Sequence, residues 1–200
     1  MAAAASSALS IQRRVTPNDV FHTPLPVVKI MIDMCDITPD MKVLDPCKAT
    51  GNFYNNLPDC HKDWCEITEN KDFFDYNEKV DLIIGNPPYS LWSKWLDHTT
   101  ELTDKFCYIF GVMNFTDHRL REIEKKGFGL TKMHILKVDY WFSHSLIVVF
   151  EKNKPSIMTN SLRVNCECGS RCNRARKGYS PNQCSPKVVK ETKKKQNVKN

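Results

Sequence analysis

No stretch of this sequence is apolar for long enough to cross a bilayer, and no secretory signal opens it. The expectation is a soluble, intracellular chain without a membrane partner, its nucleus or cytoplasm undecided. Paired cysteine spacing is missing from the body: Cys35, Cys47, Cys60, Cys65 and Cys107 are scattered, and read as buried small apolar groups or bystander thiols. Internal repeats are absent. So is the glycine-rich dinucleotide fingerprint, since the loop after the first predicted strand carries one glycine, Gly51, where that motif wants three. Acidic residues are lacking before Asp19, and "MAAAASSALSIQRR", with Arg13 and Arg14, faintly resembles a transit peptide. Residues 1–19 are read more plainly as a disordered leader.

What is present suits one globular domain: 200 residues, 41% hydrophobic and 26% charged. The net charge of +6 divides unevenly, because Asn160 to Asn200 holds eleven Lys/Arg against two Asp/Glu, while the rest of the chain is mildly acidic. A basic tail on an acidic body suggests contact with a polyanion, or a solvated end. Pro155 and the polar run behind it close the domain, giving a body over residues 20–154 and a basic, cysteine-containing tail over 155–200.

Along the body, apolar residues at Val27, Val28, Ile30, Met31 and Met34 predict an amphipathic helix beginning after Pro24 and Pro26. "DMKVLDP" predicts a short buried strand, "CKATGNFYNNL" a tight loop opening a helix, and "DWCEI" a second strand. "VDLIIG" and "KFCYIFGVM" follow as buried strands, with a helix over "SLWSKWLDHTTEL" between them. "HRLREIEKK" predicts a charged helix closed by Gly127, and "MHILKVDYWF" and "SLIVVFEK" two β-rich runs split at Ser143-His144. The alternation calls for an α/β fold with a mostly parallel sheet, helices on both faces and a terminal antiparallel hairpin.

Two strand ends carry the chemistry. "VLDPCKATGNF" ends a strand in Asp45-Pro46 and continues through Ala49, Thr50, Gly51 and Phe53, small residues that let backbone approach a ligand. About twenty positions on, Glu66 is placed to accept ribose hydroxyls. The strand "VDLIIG" then gives way to Asn86-Pro87-Pro88-Tyr89. Two prolines cannot continue a central strand, so they form a stiff exit at the edge where open α/β sheets bind ligands. Each piece alone has a plainer explanation: a helix cap for Asp45, a solvated acid at Glu66, a common turn at Asn-Pro-Pro.

Taken together and in this order, the motifs resemble the S-adenosylmethionine-dependent amino-methyltransferases, in particular the DNA adenine-N6 group, over about Val20 to Lys152. The resemblance implies a Rossmann-like methyltransferase fold with a seven-stranded sheet. "FHTPLPVV", with Phe21, Thr23 and Pro24, is similar to that family's amino-terminal cofactor segment. Asp45, Pro46, Ala49, Gly51, Phe53 and Glu66 are similar to its cofactor loop, with Ala49 where glycine is usual. Asp72 and Phe73 in "KDFFDY" are similar to its adenine-binding acid and the neighbour of that acid. The order of motifs is the one called gamma.

An exocyclic amine is a poor nucleophile because its lone pair is delocalised into the ring. The Asn86 side-chain oxygen and the Pro87 carbonyl are the expected acceptors of its hydrogens, held in line by Pro88, with Tyr89 stacking on a base turned out of its helix. Trp92 either extends that surface or belongs to the core. The tetrapeptide is shared by enzymes acting on adenine in DNA, adenine in RNA and glutamine in protein. The loop and the basic tail favour nucleic acid, DNA before RNA, and a non-catalytic methyltransferase-like binding subunit is the alternative from another class. Fewer than fifty residues follow Lys152, so target recognition is expected to be loose, or supplied by the tail or by a protein partner. In the tail, Cys166, Cys168, Cys172 and Cys184 have a spacing able to hold one structural zinc, although not the usual paired form. Arg163, Arg171, Arg174, Arg176 and Lys177 around them would suit phosphates.

Overall fold

The computed structural model describes residues 22–158, together with the backbone of residues 164–166 and 186–188. The chain divides into two units, Met1–Met158 and Thr159–Asn200. In the first, helix α1 (Leu25–Asp33) precedes strands β1 (Lys42–Asp45), β2 (His61–Trp64) and β3 (Leu82–Gly85). Helix α2 (Trp92–Leu102), strand β4 (Lys105–Gly111) and helix α3 (Asp117–Lys125) follow, and then strands β5 (Phe128–Leu136) and β6 (Ser145–Lys152). The sheet order is β2-β1-β3-β4-β6-β5. The first four strands run parallel, and β6 and β5 complete the sheet antiparallel.

The period-two pattern of the central strands sorts side chains onto two cores. Phe106, Tyr108 and Phe110 of β4 join Leu44, Ile83, Val148 and Phe150 beneath α2 and α3, with Trp92, Trp95, Leu96, Leu120 and Ile123 packed from the helices. Cys107 and Ile109 point to the other face, where Val27, Val28 and Met31 of α1 cover Val43, Leu82, Ile84, Ile147 and Val149. Buried on both faces, these strands read as continuous apolar runs, as parallel strands do. One polar group in this core is well paired: the Tyr108 hydroxyl accepts from the Trp95 indole at 3.2 Å and bonds Thr99 Oγ1 at 2.7 Å. Trp92 is buried, its ring edge-on to Phe110 at 4.9 Å, so it is a core residue.

Among the described residues the sheet has six strands rather than the seven expected. Between β2 and β3 lie seventeen residues, occupied by two 3₁₀ turns at Ile67–Glu69 and Phe73–Asp75. A parallel crossover needs a dozen or more residues before the added strand itself is counted, so no seventh strand fits there, and β2 is an edge. The helix expected after the first loop is also a single 3₁₀ turn, Tyr54–Asn56. The two β-rich runs pair as a hairpin, but β5 ends at Leu136, leaving Lys137 to His144 as a loop.

In the second unit, β7 (Val164–Cys166) and β8 (Pro186–Val188) form an antiparallel pair. Cys168, Cys172 and Cys184 lie outside the described residues, and of Cys166 only the backbone is described. Among the described residues no group of three His, Cys, Asp or Glu side chains is placed to hold a metal ion. The leader, residues 1–19, and Phe21 also lie outside the described residues. No described helix is long and apolar enough to cross a membrane.

Candidate functional site

The carboxyl ends of β1 and β3 adjoin, because Val43 and Leu44 pair with Leu82 and Ile83. Both strand ends therefore deliver their loops to the same place. Gly85 makes the approach close: a Cβ there would lie 3.0 Å from Pro46 Cδ and 3.6 Å from Cys47 Sγ. Above this junction opens a cavity of about 370 Å³, large enough for a nucleoside-sized ligand. Thr23, Pro46, Ala49, Phe53, Glu66, Asp72, Phe73, Asn86 and Pro88, all expected at the site, line it. Pro24, Asp45, Gly51, Pro87 and Tyr89 do not.

Asp45 sits under the cavity rather than in its wall. It is fully buried, and its two carboxylate oxygens accept from the backbone N–H groups of Cys47 and Tyr54, each at 3.3 Å. Its position is a brace for the loop. Burial pushes its carboxyl up to about 7, opposed by those two hydrogen bonds and reinforced by the nearby Glu66 carboxylate. Across the loop, Glu66 accepts from Ala49 N at 2.8 Å on one oxygen, and from Thr68 N at 3.0 Å and Thr68 Oγ1 at 2.7 Å on the other. Burial pushes the Glu66 carboxyl up, but the Thr68 and Ala49 hydrogen bonds, with Lys48 nearby, outweigh it and hold the group below its usual range. Glu66 is thus a carboxylate at neutral pH, and a carboxylate with about four lone-pair sites and three donors still has acceptor capacity.

Ala49 has φ of +47° and Gly51 +84°. The turn they make brings the Ala49 N–H onto Glu66. The walls of the cavity are apolar at Phe53, Ile67, Phe73 and Phe74, and polar at Asn52, Glu66 and Asp72. Asp72 accepts from Phe74 N at 3.1 Å, which caps the second 3₁₀ turn and seats Phe73 in the core beside Trp95, ring centroids 4.4 Å apart. A buried aromatic wall beside a carboxylate rim suits a purine nucleoside. The residues present fit S-adenosylmethionine on this ground.

The tetrapeptide is tied to its surroundings at both ends. Cys47 Sγ donates to the Asn86 carbonyl at 3.2 Å, linking the β1 loop to the β3 exit. The Tyr89 hydroxyl lies 2.9 Å from the Ile109 carbonyl and 3.3 Å from Asn86 Oδ1, and its ring stacks on Phe110 at 6.0 Å. Rather than projecting into the first cavity, Tyr89 lines a second cleft of about 360 Å³ with Trp92, Lys94, His118 and Arg119; the two share Leu91. Arg119 lies over the Trp92 ring at 5.4 Å and donates to the Asn114 carbonyl at 3.0 Å.

Cys47, Lys48, Asn52 and Trp95 are site residues the sequence reading passed over. Cys47 is more than a buried small apolar group or bystander thiol, and its place directly after Asp45-Pro46 is the signal in the sequence. Asn52 Nδ2 donates to the Thr23 carbonyl at 2.9 Å, holding the segment before α1 against the loop. That contact spans distant positions and left no local mark.

No family model matches the chain, and no curated protein does. Solved structures do. A protein of Pyrococcus horikoshii provisionally named an RNA methyltransferase is 18% identical over 64% of this chain and 81% of its own, with a TM-score of 0.51. The 23S rRNA methyltransferase ErmE is 13% identical over 70% of this chain and 72% of its own, TM-score 0.51. The modification subunit of a provisionally named type I restriction enzyme from Vibrio vulnificus YJ016 is 14% identical over 76% of this chain, which spans 48% of that longer one, TM-score 0.51. The six-stranded mixed sheet with flanking helices is therefore the Rossmann-like α/β fold that these methyltransferase structures share. Identities this low speak for the fold alone.

Proposed function

We propose that this chain transfers a methyl group from S-adenosylmethionine to the exocyclic amine of adenine in a nucleic acid. The observation that carries the reading is the convergence of Asn86 and Pro88 with Glu66, Asp72 and Phe73 on one cavity. Bound there, S-adenosylmethionine would supply a methyl group on an electrophilic sulfonium. Glu66 would take a ribose hydroxyl, Asp72 the purine amine, and Phe53 and Phe73 the apolar faces. Asn86 Oδ1 and the Pro87 carbonyl would accept the two hydrogens of the target amine, releasing its lone pair from the ring as the new C–N bond forms and the methyl–sulfur bond breaks to leave a thioether, the surplus proton of the amine passing to solvent. Because neither acceptor must reorganise, prolines 87 and 88 supply orientation in advance.

The second cleft gives the acceptor base an approach. Tyr89 lines it with Lys94, His118, Arg119 and Glu122, an aromatic ring among charged side chains with cations enough to receive a base and its phosphates. RNA stands beside DNA in this proposal, since two of the three similar proteins above are named for RNA and one as the modification subunit of a type I restriction enzyme. The 155–200 tail, as a basic phosphate contact with or without zinc, and a recognition partner belong to the same proposal.

Incubating the protein and Asn86→Ala with labelled S-adenosylmethionine and unmethylated duplex DNA, single-stranded DNA or RNA, followed by nucleoside mass spectrometry, tests it. N6-methyladenine formed only by the unmutated chain is the expected result. Cofactor binding without transfer to any polymer would shift the assignment to glutamine in protein or to a non-catalytic subunit.

A further inference from the structure

The loop from Lys137 to His144 places aromatic rings in solvent at the same end of the sheet as the tetrapeptide. Phe142 is fully exposed and Tyr140 is 74% exposed, beside Met113 at 76%. Exposed aromatics of this size are unusual on a free surface and mark contact sites. Their location is fixed by the fold: Ser145, which ends the loop, pairs with Gly111, where β4 ends. Val112 N donates to the His144 carbonyl at 2.9 Å, joining the loop to the Val112–Asn114 turn that carries Met113. Asn114 receives the Arg119 guanidinium, and Arg119 lines the basic cleft beside Tyr89. A series of hydrogen bonds thus links Tyr89 through Arg119 and the Val112–Asn114 turn to the loop that carries the exposed rings.

The loop is braced from below rather than loose. Trp141 N donates to the Val138 carbonyl at 2.9 Å, and Val138 and Trp141 pack onto the core beneath α1. With those two side chains turned inward, Tyr140 and Phe142 are turned outward. A rigid turn that holds two rings in water beside a basic cleft is built for stacking, because every nucleobase offers a π-face whatever its identity.

Resting on the function proposed above, we infer that Tyr140 and Phe142, with Met113, form a docking platform for unpaired nucleobases flanking the target adenine. The occupant is a single-stranded or locally opened nucleic acid. The platform supplies the grip that a separate recognition domain would otherwise give, and it is tolerant of sequence.

The test uses the full chain and a Tyr140→Ala/Phe142→Ala double variant, titrated by fluorescence anisotropy against a labelled adenine-containing single-stranded oligonucleotide and the matching duplex. Single-strand affinity should fall about tenfold or more, with duplex affinity less affected. S-adenosylmethionine affinity by calorimetry and turnover at saturating oligonucleotide should stay within about twofold. A Tyr140→Phe/Phe142→Tyr variant, which keeps both rings, should bind like the unmutated protein and guards against a folding defect. Unchanged single-strand affinity in the Ala variant overturns the platform while leaving the activity untouched. A change in oligomeric state without a change in nucleic-acid affinity overturns it too, assigning the rings to a protein contact. An unmutated protein that binds S-adenosylmethionine but no nucleic acid removes the proposed function itself.

Discussion

The loop after β1 and the tetrapeptide after β3 stand side by side at the carboxyl end of the sheet, and they are fixed by different means. The first is held by polar contacts: a buried carboxyl beneath it at Asp45, a carboxylate across it at Glu66, and a residue with positive φ at Ala49. The second is held largely by covalent restriction, two consecutive prolines between Asn86 and a tyrosine anchored on β4. A polar scaffold responds to pH and to single substitutions. A proline-locked one does not soften by degrees, and its loss is felt in the chemistry rather than in stability.

The sharpest way to separate the two is Asn86→Ala, for which turnover should fall by about a hundredfold to a thousandfold while S-adenosylmethionine affinity and melting temperature barely move. A rate within threefold of the unmutated protein would remove Asn86 from the mechanism. The β1 loop should show the reverse. Because the folded-state pKa of Asp45 is raised from 3.8 to about 7, the folded protein binds the extra proton between those values. Its contribution is fully present below about pH 4 and is lost as pH rises toward 7, at roughly 1.4 kcal/mol per unit and a few kcal/mol in all. Urea unfolding across that range should show the decline, and Asp45→Asn should flatten it; an equally steep decline in the variant would place its origin elsewhere.

Cys47 is where the two regions touch, and Cys47→Ala should cost about 1 kcal/mol or less of stability, the order expected of one weak donor. Cys47→Ser, with a hydroxyl to donate to the Asn86 carbonyl, should recover turnover that the Ala variant loses. If neither variant differs from the parent in rate, the two loops are independent. The smallest effect is expected at Ala49: glycine tolerates its φ of +47°, so Ala49→Gly should gain up to about 1 kcal/mol by thermal melting.

The strands that carry the site were legible because each is a local run: "KVLD", "DLIIG" and "KFCYIFG" are short, largely apolar and bounded by turns. Asn86 and Pro88 were legible because proline restricts backbone whatever surrounds it. What lay hidden depends on distant pairs. The missing seventh strand is a matter of the length available between Trp64 and Leu82, against which the family resemblance was a poor guide. The burial of Asp45 beneath the loop, with its carboxylate on two backbone N–H groups, was not legible, since burial cannot be read from a residue and its neighbours alone. The anchorage of Tyr89 was hidden as well, since its hydroxyl bonds the Ile109 carbonyl, twenty positions on.

The edge strand β5 has a consequence for how the body meets the chain that follows it. Residues 153–157 fold back along that strand: Asn153 N donates to the Gly127 carbonyl at 2.8 Å, Leu130 N to Ser156 Oγ at 3.1 Å, and Ile157 N to the Leu130 carbonyl at 2.8 Å. Gly129 lets the returning backbone lie flat, because a Cβ there would come within 2.0 Å of the Lys154 carbonyl oxygen. A pull on Met158 would therefore load β5 first, then pass through the β6 ladder into β4, the strand on which Tyr89 is anchored. The hem of the sheet therefore has to give way before tension on the chain's continuation reaches the turn that aims Asn86.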